Sequence, residues 1–311
     1  MIAKLKYPLI LLAVGIGWGA TQPLGKMAAA TGRLPFGLIF WQLLVCTLVL
    51  GVLTLIRGKT LPVNARALRF YTVIAFLGTL VPGVTFYTSV ARLPAGIMSI
   101  LISTVPLMAF PMAMALGMDR LSTARVIGLG LGLLGVCLIA LPSASLPDPA
   151  MAAFLPLAMI GPFFYAMEGI YVSRHGMAGM DAVQAMFGAS LIALILCVPI
   201  MLGLGHGFVP SWPLGKADAA LLLSAAMHSI LYTSYVWLAA RTGAVFASQT
   251  SYIVTGAGVI WAMILLGERF SLWVWAAMVV MLLGLSLVQP RVVTANRAPK
   301  IDSNSDAGDK V

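Results

Sequence analysis

Apolar residues run along this chain in ten stretches of about 20, the length that an α-helix needs to cross the hydrocarbon core of a bilayer. Short polar connections separate the stretches. The pattern predicts an all-α, polytopic membrane protein with ten transmembrane helices. The predicted helices lie at residues 7–29, 35–56, 68–90, 94–117, 124–142, 150–173, 182–203, 217–239, 243–266 and 271–289.

The second half of this pattern repeats the first. Residues 91–122 recur without a gap at 240–271, which is 149 positions later. Each copy contains five spans, an odd number, so the second copy must lie inverted in the membrane. Membrane transporters obtain two mirror-related states from inverted repeats of this kind. We therefore predict a first five-helix repeat at residues 1–145 and a second, inverted five-helix repeat at 146–289.

Composition supports a membrane protein throughout, because 61% of residues are apolar and 9% are charged, against about a quarter charged in soluble domains. Residues 290–311 are polar and predict a disordered cytoplasmic tail. The first apolar run is too long for the core of a signal peptide, so we interpret it as a retained span.

The distribution of Lys and Arg predicts the orientation. With the amino terminus inside, fourteen of the 19 Lys and Arg residues fall on inner segments and five on outer ones. This predicts a multi-pass protein of the inner (plasma) membrane with both termini cytoplasmic. Topology then explains the net charge of +10, so we expect the lipid bilayer as a partner and no nucleic acid.

The sequence shows no motif for an enzyme, a metal or a cofactor. Cys46, Cys137 and Cys197 all lie within spans and lack ligand spacing, so we expect neither a metal site nor a disulfide. Gly130, Gly132 and Gly135 fit the dinucleotide-binding pattern but follow no strand, and small-residue helix packing explains them better. A P-loop and the common hydrolase motifs are missing from the sequence. We therefore expect no catalytic residues and no cofactor.

Polar and aromatic residues concentrate in the first, fourth, sixth, eighth and ninth predicted spans. Facing lipid would cost each polar group its hydrogen bonds, so we expect them to face a cavity at mid-membrane. Pro106 removes one intrahelical hydrogen bond from the fourth span and can leave a carbonyl free for a ligand. The predicted substrate-binding residues are Trp18, Thr21, Gln22, Ser99, Ser103, Tyr165, Glu168, His228, Tyr232 and Tyr252.

Glu168 is the most informative of these residues because it is a carboxylate deep inside a span. An unpaired buried charge is costly, so Glu168 is protonated, or paired with a substrate ammonium or another residue. The alternative is a place nearer the membrane surface, paired with Arg174 or a backbone donor. His228 fits a proton relay or a packing role. Trp18 either stacks on a ligand or fills the core.

These features resemble the drug/metabolite transporter superfamily, in the branch of ten-helix bacterial exporters with duplicated EamA-type halves. The resemblance covers about residues 7–289. It rests on Trp18-Gly19 followed by Lys26, on the Ala-Arg-Leu-Pro-Ala start of the fourth span with Pro106, and on the acid-Arg turns that begin at Asp119 and Glu268. We expect these turns to be structural. The chain departs from the family pattern with Tyr165 in place of Trp, Thr255 in place of Pro and Asp119 in place of Glu.

The resemblance implies a secondary transporter that exports small metabolites by alternating access. Within the branch the chain is most similar to exporters of aromatic amino acids, which implies aromatic or large neutral amino acids as substrates. A multidrug or nucleotide-sugar carrier of the same superfamily is the alternative. A membrane enzyme or scaffold is an alternative of another class. Protons and a second copy of the chain are further candidate partners.

Overall fold

The computed structural model describes residues 2–141, 145–242 and 249–288, and every regular element within them is a helix. A π-helical segment occupies Ala75–Leu80, and a 3-10 segment occupies Pro149–Phe154. The α-helices are α1 Ile2–Ala29, α2 Pro35–Ile56, α3 Ala65–Ile74, α4 Val81–Val90, α5 Ala95–Ile102, α6 Thr104–Ala115, α7 Thr123–Ala140, α8 Leu155–His175, α9 Ala182–Gly203, α10 Lys216–Thr242, α11 Thr250–Leu266 and α12 Leu272–Val288.

Eight helical stretches of the described chain are long and apolar enough to cross a membrane. The third of them joins α3 to α4, and the fourth joins α5 to α6. Two shorter apolar helices, α11 and α12, have 17 residues each. The prediction of an all-α, ten-helix membrane protein is confirmed. The predicted tail at 290–311 and the predicted start of the ninth span at 243–248 lie outside the described residues.

Local capping moves two of the predicted boundaries. The third span begins at Ala65 and not at 68, because the Asn64 side chain accepts a hydrogen bond from the Ala67 N–H at 2.9 Å and starts the helix earlier. The sixth span becomes α-helical at Leu155 and not at 150. The preceding residues form the 3-10 segment, whose first turn Asp148 caps through the Ala150 N–H at 2.9 Å.

The fourth span, predicted as one helix, is divided in two at the hydrogen bond that Pro106 removes. Pro106 cannot donate to the carbonyl of Ile102, and α5 ends at that residue before α6 begins at Thr104. The Ser103 and Thr104 hydroxyls donate to the carbonyls of Ile100 and Leu101, at 2.7 and 2.5 Å. Both hydroxyls therefore donate to carbonyls of the preceding helical turn, and the ligand contact of Ser103 stays a prediction.

The π-helical segment of the third span was not predicted. Pro82 has no N–H to donate to the carbonyl of Gly78, four residues earlier, so the α-helical ladder fails at this point. The segment occupies the six residues before α4 and contains Gly78 and Thr79. π-Helical turns inside α-helices are often found at functional sites.

Glycines bring the spans into close contact. A Cβ on Gly128 would lie 2.6 Å from the Gly284 carbonyl oxygen, so α7 and α12 pack backbone to backbone. A Cβ on Gly19 would lie 2.7 Å from the backbone nitrogen of Gly258, which sets α1 equally close to α11. The packing prediction is confirmed for Gly132 and Gly135, where an added Cβ would lie 2.3 Å from Leu107 and 2.4 Å from Met281, but it is wrong for Gly130, which has open space around it.

Candidate functional site: a buried carboxylate and an aromatic cluster

Glu168 lies at the centre of the bundle, where three spans meet. Its side chain is 5% exposed and accepts a hydrogen bond from the hydroxyl of Tyr232 on α10. On the other side it lies against the π-helical segment, since a Cβ on Gly78 would be 2.5 Å from Glu168 Oε1. The alternative interpretation, in which Glu168 pairs with Arg174, is wrong. The carboxylate accepts instead from a phenol of α10, in the same repeat.

Aromatic rings surround this carboxylate on the side of α1 and α10. The Trp18 ring centroid lies 5.6 Å from those of Tyr232 and Tyr235 and 6.0 Å from that of His228. The ring centroids of His228 and Tyr232, one turn from each other on α10, are 5.7 Å apart. We call these four residues the aromatic cluster. It combines a helix of the first repeat with one of the second.

Tyr165 and Tyr252 stand in different relations to the aromatic cluster. Tyr165 lies one turn before Glu168 on α8 and interacts electrostatically with Glu168 and Tyr232. Tyr252 is half-buried on α11. Within the described chain, the rings that Trp18 contacts are His228, Tyr232 and Tyr235, so Tyr252 is not one of its ring neighbours.

The remaining predicted polar residues are buried beside the site. Thr21 donates to the Trp18 carbonyl at 2.7 Å, and Ser99 donates to the Ala95 carbonyl at 3.1 Å, so both hydroxyls bond within their own helices. Gln22 is 8% exposed, and its Oε1 has no hydrogen-bond partner among the described residues. A buried acceptor without a donor costs about 1–3 kcal/mol. Gln22 is therefore available to a ligand.

A small cavity next to the aromatic cluster is lined by His228 and Tyr232, which were predicted, and by several residues that the sequence did not single out. The cavity lies between α2, the π-helical segment, α9 and α10. Its polar lining comprises Gln42, Cys46, Thr79, Ser190, His228, Ser229 and Tyr232. The volume of about 20 Å³ holds roughly one water molecule, far less than the 300 Å³ or more of typical ligand sites. The site is therefore contracted in this conformation.

The apolar pattern of α2 and α9 explains why these cavity residues escaped prediction. Both helices are apolar around their whole circumference, so no periodic polar face marks the side that meets the cavity. One sequence signal was available: Gln42 is an amide within the apolar helix α2. In the structure its Oε1 accepts a hydrogen bond from the buried Tyr87 hydroxyl at 2.6 Å. Gly78 followed by Pro82 was a second signal, because that spacing removes one helical hydrogen bond.

Polar contacts close one membrane face of the bundle. We call the face where α1 begins the amino-terminal face and the other the far face. At the far face, Lys26 donates to the carbonyls of Val90 and Leu93, at 3.2 and 2.6 Å. The Glu268 carboxylate accepts from the N–H groups of Ala95 and Gly96, at 2.8 and 3.0 Å. The predicted structural role of the Glu268 turn is confirmed.

The repeat-related residues at the amino-terminal face make different contacts. Arg174 lies 148 positions after Lys26, is exposed and has no hydrogen-bond or ion-pair partner among the described residues. Asp119, 149 positions before Glu268, pairs with Arg125 three residues into the following span. The residues equivalent to Ala95 and Gly96 lie outside the described ones. The two faces of the bundle therefore differ in this structure, although the sequence repeats.

A second set of contacts joins the two repeats at both faces. At the far face Arg33 Nη1 lies 2.5 Å from Asp218 Oδ1, and the Asp218 side chain is 2% exposed. At the amino-terminal face, Asp181 Oδ2 lies 3.0 Å from Arg57 Nη2 and 2.5 Å from Lys59 Nζ. Arg33 and Asp181 are 148 positions apart and each precedes the second span of its repeat. We call these contacts the far-face ion pair and the amino-terminal ion cluster.

The environment of Asp181 sets its protonation. Partial burial would raise the pKa of this carboxyl, but hydrogen bonds from Lys59, the backbone of Gln184 and Arg57, with the charge of Arg57, lower it to about 2. Asp181 also caps α9 through the N–H groups of Val183 and Gln184, each at 3.0 Å. The amino-terminal ion cluster thus stays ionised at neutral pH and fixes the start of α9.

Comparison with known proteins identifies the family. The model of the EamA-like transporter family matches residues 5–141 and 153–289. The chain belongs to the EamA-like transporter family. It is therefore a multi-pass membrane transporter of the drug/metabolite transporter superfamily, built from two repeats.

A solved structure described only as "Crystal structure of protein" is similar to this chain. The two are 18% identical, the match covers 94% of this chain and 99% of the other, and the TM-score is 0.57. At that identity the likeness supports the fold alone. No curated protein sequence matches the chain.

Proposed function

We propose that this EamA-like transporter exports aromatic or large neutral amino acids from the cytoplasm by alternating access. In this proposal it resides in the inner membrane with both termini cytoplasmic, so the amino-terminal face is the cytoplasmic one. The observation that carries the substrate class is the buried Glu168 carboxylate directly beside the aromatic cluster. The carboxylate binds a cation, and the aromatic cluster binds an apolar or aromatic side chain.

The two ends of a zwitterionic amino acid find partners of opposite character around Glu168. Glu168 accepts hydrogen bonds from the substrate ammonium, and the unpaired Gln22 carbonyl of α1 is a further buried acceptor for the substrate. Once Glu168 binds the ammonium, the Tyr232 hydroxyl is free to donate to the substrate carboxylate. The ring N–H of His228 is a second donor within the same cluster. Trp18 and Tyr235 then pack against the substrate side chain.

Transport requires the contracted cavity to open, which the two repeats achieve in alternation. In this structure Lys26 and Glu268 hold the start of α5 at the far face. Opening the far face releases those contacts. By the inverted symmetry of the repeats, Arg174 and Asp119 then take up the equivalent contacts at the amino-terminal face.

A cationic amphipathic drug or amine is the second candidate substrate. None of the described residues in the cavity or aromatic cluster is Lys or Arg, so a substrate carboxylate meets neutral donors alone. An amine without a carboxylate satisfies Glu168 and does not need those donors. The same lack of cations disfavours a nucleotide sugar, because its phosphates require Lys or Arg.

Counterflow into proteoliposomes tests the proposal and separates the two candidates. Phenylalanine and methionine should exchange with labelled phenylalanine, while glutamate should compete poorly. Phenethylamine, which is phenylalanine without its carboxylate, should compete better than phenylalanine if the substrate is a cation. Equal competition by glutamate and phenylalanine would refute the amino-acid proposal.

Variants connect this assay to the site. Glu168→Gln should abolish exchange, because the neutral amide has no negative charge to balance the substrate ammonium. Arg269→Gln is the matched control: its side chain is exposed and donates to the neighbouring Glu268 carbonyl at 3.3 Å. It should lower the yield of folded protein and leave the exchange rate per molecule unchanged. Exchange by Glu168→Gln at the native rate would remove Glu168 from the mechanism.

A further inference from the structure

A second concave site lies on the outer surface of the bundle, between the third span, α6 and α8. It has a volume of about 440 Å³ and is open to the membrane. Its walls are apolar along nearly their whole length, and Phe163 and Met167 are 43% and 36% exposed within it. The apolar walls are formed by Leu77, Met112, Ala115, Phe163, Met167 and Ile170. A concave groove of this size differs from the flat lipid-facing surface of a packed helix bundle.

One end of this groove is cationic. Arg174 and His175, the last residues of α8, line it at the amino-terminal face. Arg174 has no acidic partner in the described chain. Arg66 stands at the same face on the third span, about three helical turns before Leu77, and is also exposed. A long apolar groove that ends at the unpaired guanidinium of Arg174 matches an acyl chain joined to a negatively charged headgroup.

We propose that this groove is a binding site for one anionic phospholipid, with its acyl chain along α6 and α8 and its phosphate at Arg174. Charge decides between possible occupants. A zwitterionic lipid would leave Arg174 without a net counter-charge, and the polar residues 290–311 of the chain offer no apolar segment to fill the groove. The proposal does not depend on the transported substrate.

Native mass spectrometry of the purified full-length chain tests this site. The protein is titrated with phosphatidylglycerol and with phosphatidylcholine of identical acyl chains. The wild-type chain should retain one phosphatidylglycerol in preference to phosphatidylcholine. Arg174→Gln should weaken phosphatidylglycerol binding about fivefold, the factor expected for one cation at the headgroup, and should reduce the preference.

Two controls keep the test decisive. Arg92→Gln removes an exposed arginine at the far face that lies over the Phe154 ring and does not line this groove, and it should leave lipid binding unchanged. Ala115→Trp fills the groove without changing charge and should also displace the lipid, whereas Ile260→Trp on exposed α11 surface should not. Equal binding of the two lipids by the wild type, or native binding by both Arg174→Gln and Ala115→Trp, overturns the proposal.

Discussion

Neutralising one acid at each face should open the transporter to opposite sides. In the far-face ion pair the Asp218 carboxylate binds the Arg33 guanidinium. The same carboxylate also accepts hydrogen bonds from the hydroxyl and the N–H of Ser211, at 2.8 and 3.2 Å. Asp218→Asn keeps the shape but makes these hydrogen bonds neutral. The difference between charge-assisted and neutral hydrogen bonds is about 1–2 kcal/mol, which shifts a two-state equilibrium roughly 5- to 30-fold. The far-face-open state should gain that population.

Asp181→Asn should act in the same way at the amino-terminal face, by a smaller amount. The Asp181 side chain is 27% exposed, and those of Arg57 and Lys59 are 40% and 44% exposed. Solvent screening limits exposed pairs to about 0.2–1 kcal/mol each, so we expect about a threefold shift. This shift should increase the population of the state that is open at the amino-terminal face.

Cys46 is a native reporter for both variants because it lines the cavity and is buried in this conformation. In a background with Cys137→Ala and Cys197→Ala, an impermeant maleimide is applied to intact cells and to inverted vesicles. Asp218→Asn should speed labelling of Cys46 from the far face, and Asp181→Asn from the amino-terminal face. Faster labelling from the same face in both variants, or no change in either, would refute the reasoning.

Three further predictions concern the site, the pH dependence and the topology. Gly78→Ala puts a Cβ 2.5 Å from Glu168 Oε1, so we expect loss of counterflow and a destabilisation of about 1–3 kcal/mol, measured by thermal unfolding. The control Gly256→Ala, with open space around the added Cβ, should retain native counterflow and native stability. The folded pKa of Asp181, about 2, lies below its ordinary 3.8, so its stabilisation is complete above pH 3.8 and is lost as pH falls toward 2. Melting temperatures at pH 6 and pH 3 should differ less in Asp181→Asn than in the wild type; an equal difference contradicts this. A cysteine in place of Lys216 should react with an impermeant reagent on intact cells, and protection there would reverse the proposed orientation.

The number of spans and the interruption of the fourth were predictable because both depend on local sequence. An apolar run of about 20 residues can satisfy its backbone in lipid as a helix, wherever its neighbours lie. Pro106 removes a hydrogen bond from any helix that contains it. Packing through Gly128 and Gly19 also follows from composition, because a missing Cβ permits close approach regardless of the partner.

The partners at the site were decided by the tertiary structure. That Glu168 is buried follows from its place in an apolar span, but only the tertiary structure brings the Tyr232 side chain of α10 to the carboxylate in place of Arg174. The position of Gly78 against the carboxylate depends on the register of the π-helical segment, which moves every following side chain around the helix. The candidate residues were largely found from sequence, whereas their contacts were not.

The difference between the two membrane faces also belongs to the tertiary structure alone. Lys26 and Arg174 occupy equivalent places in the repeats, and the sequence therefore predicts the same role for both. In the structure Lys26 binds two backbone carbonyls, while Arg174 lines an open groove. The repeated sequence predicts two mirror-related arrangements. In this structure Lys26 and Glu268 contact the connection between the third and fourth spans at the far face, whereas Asp119 at the amino-terminal face pairs with Arg125.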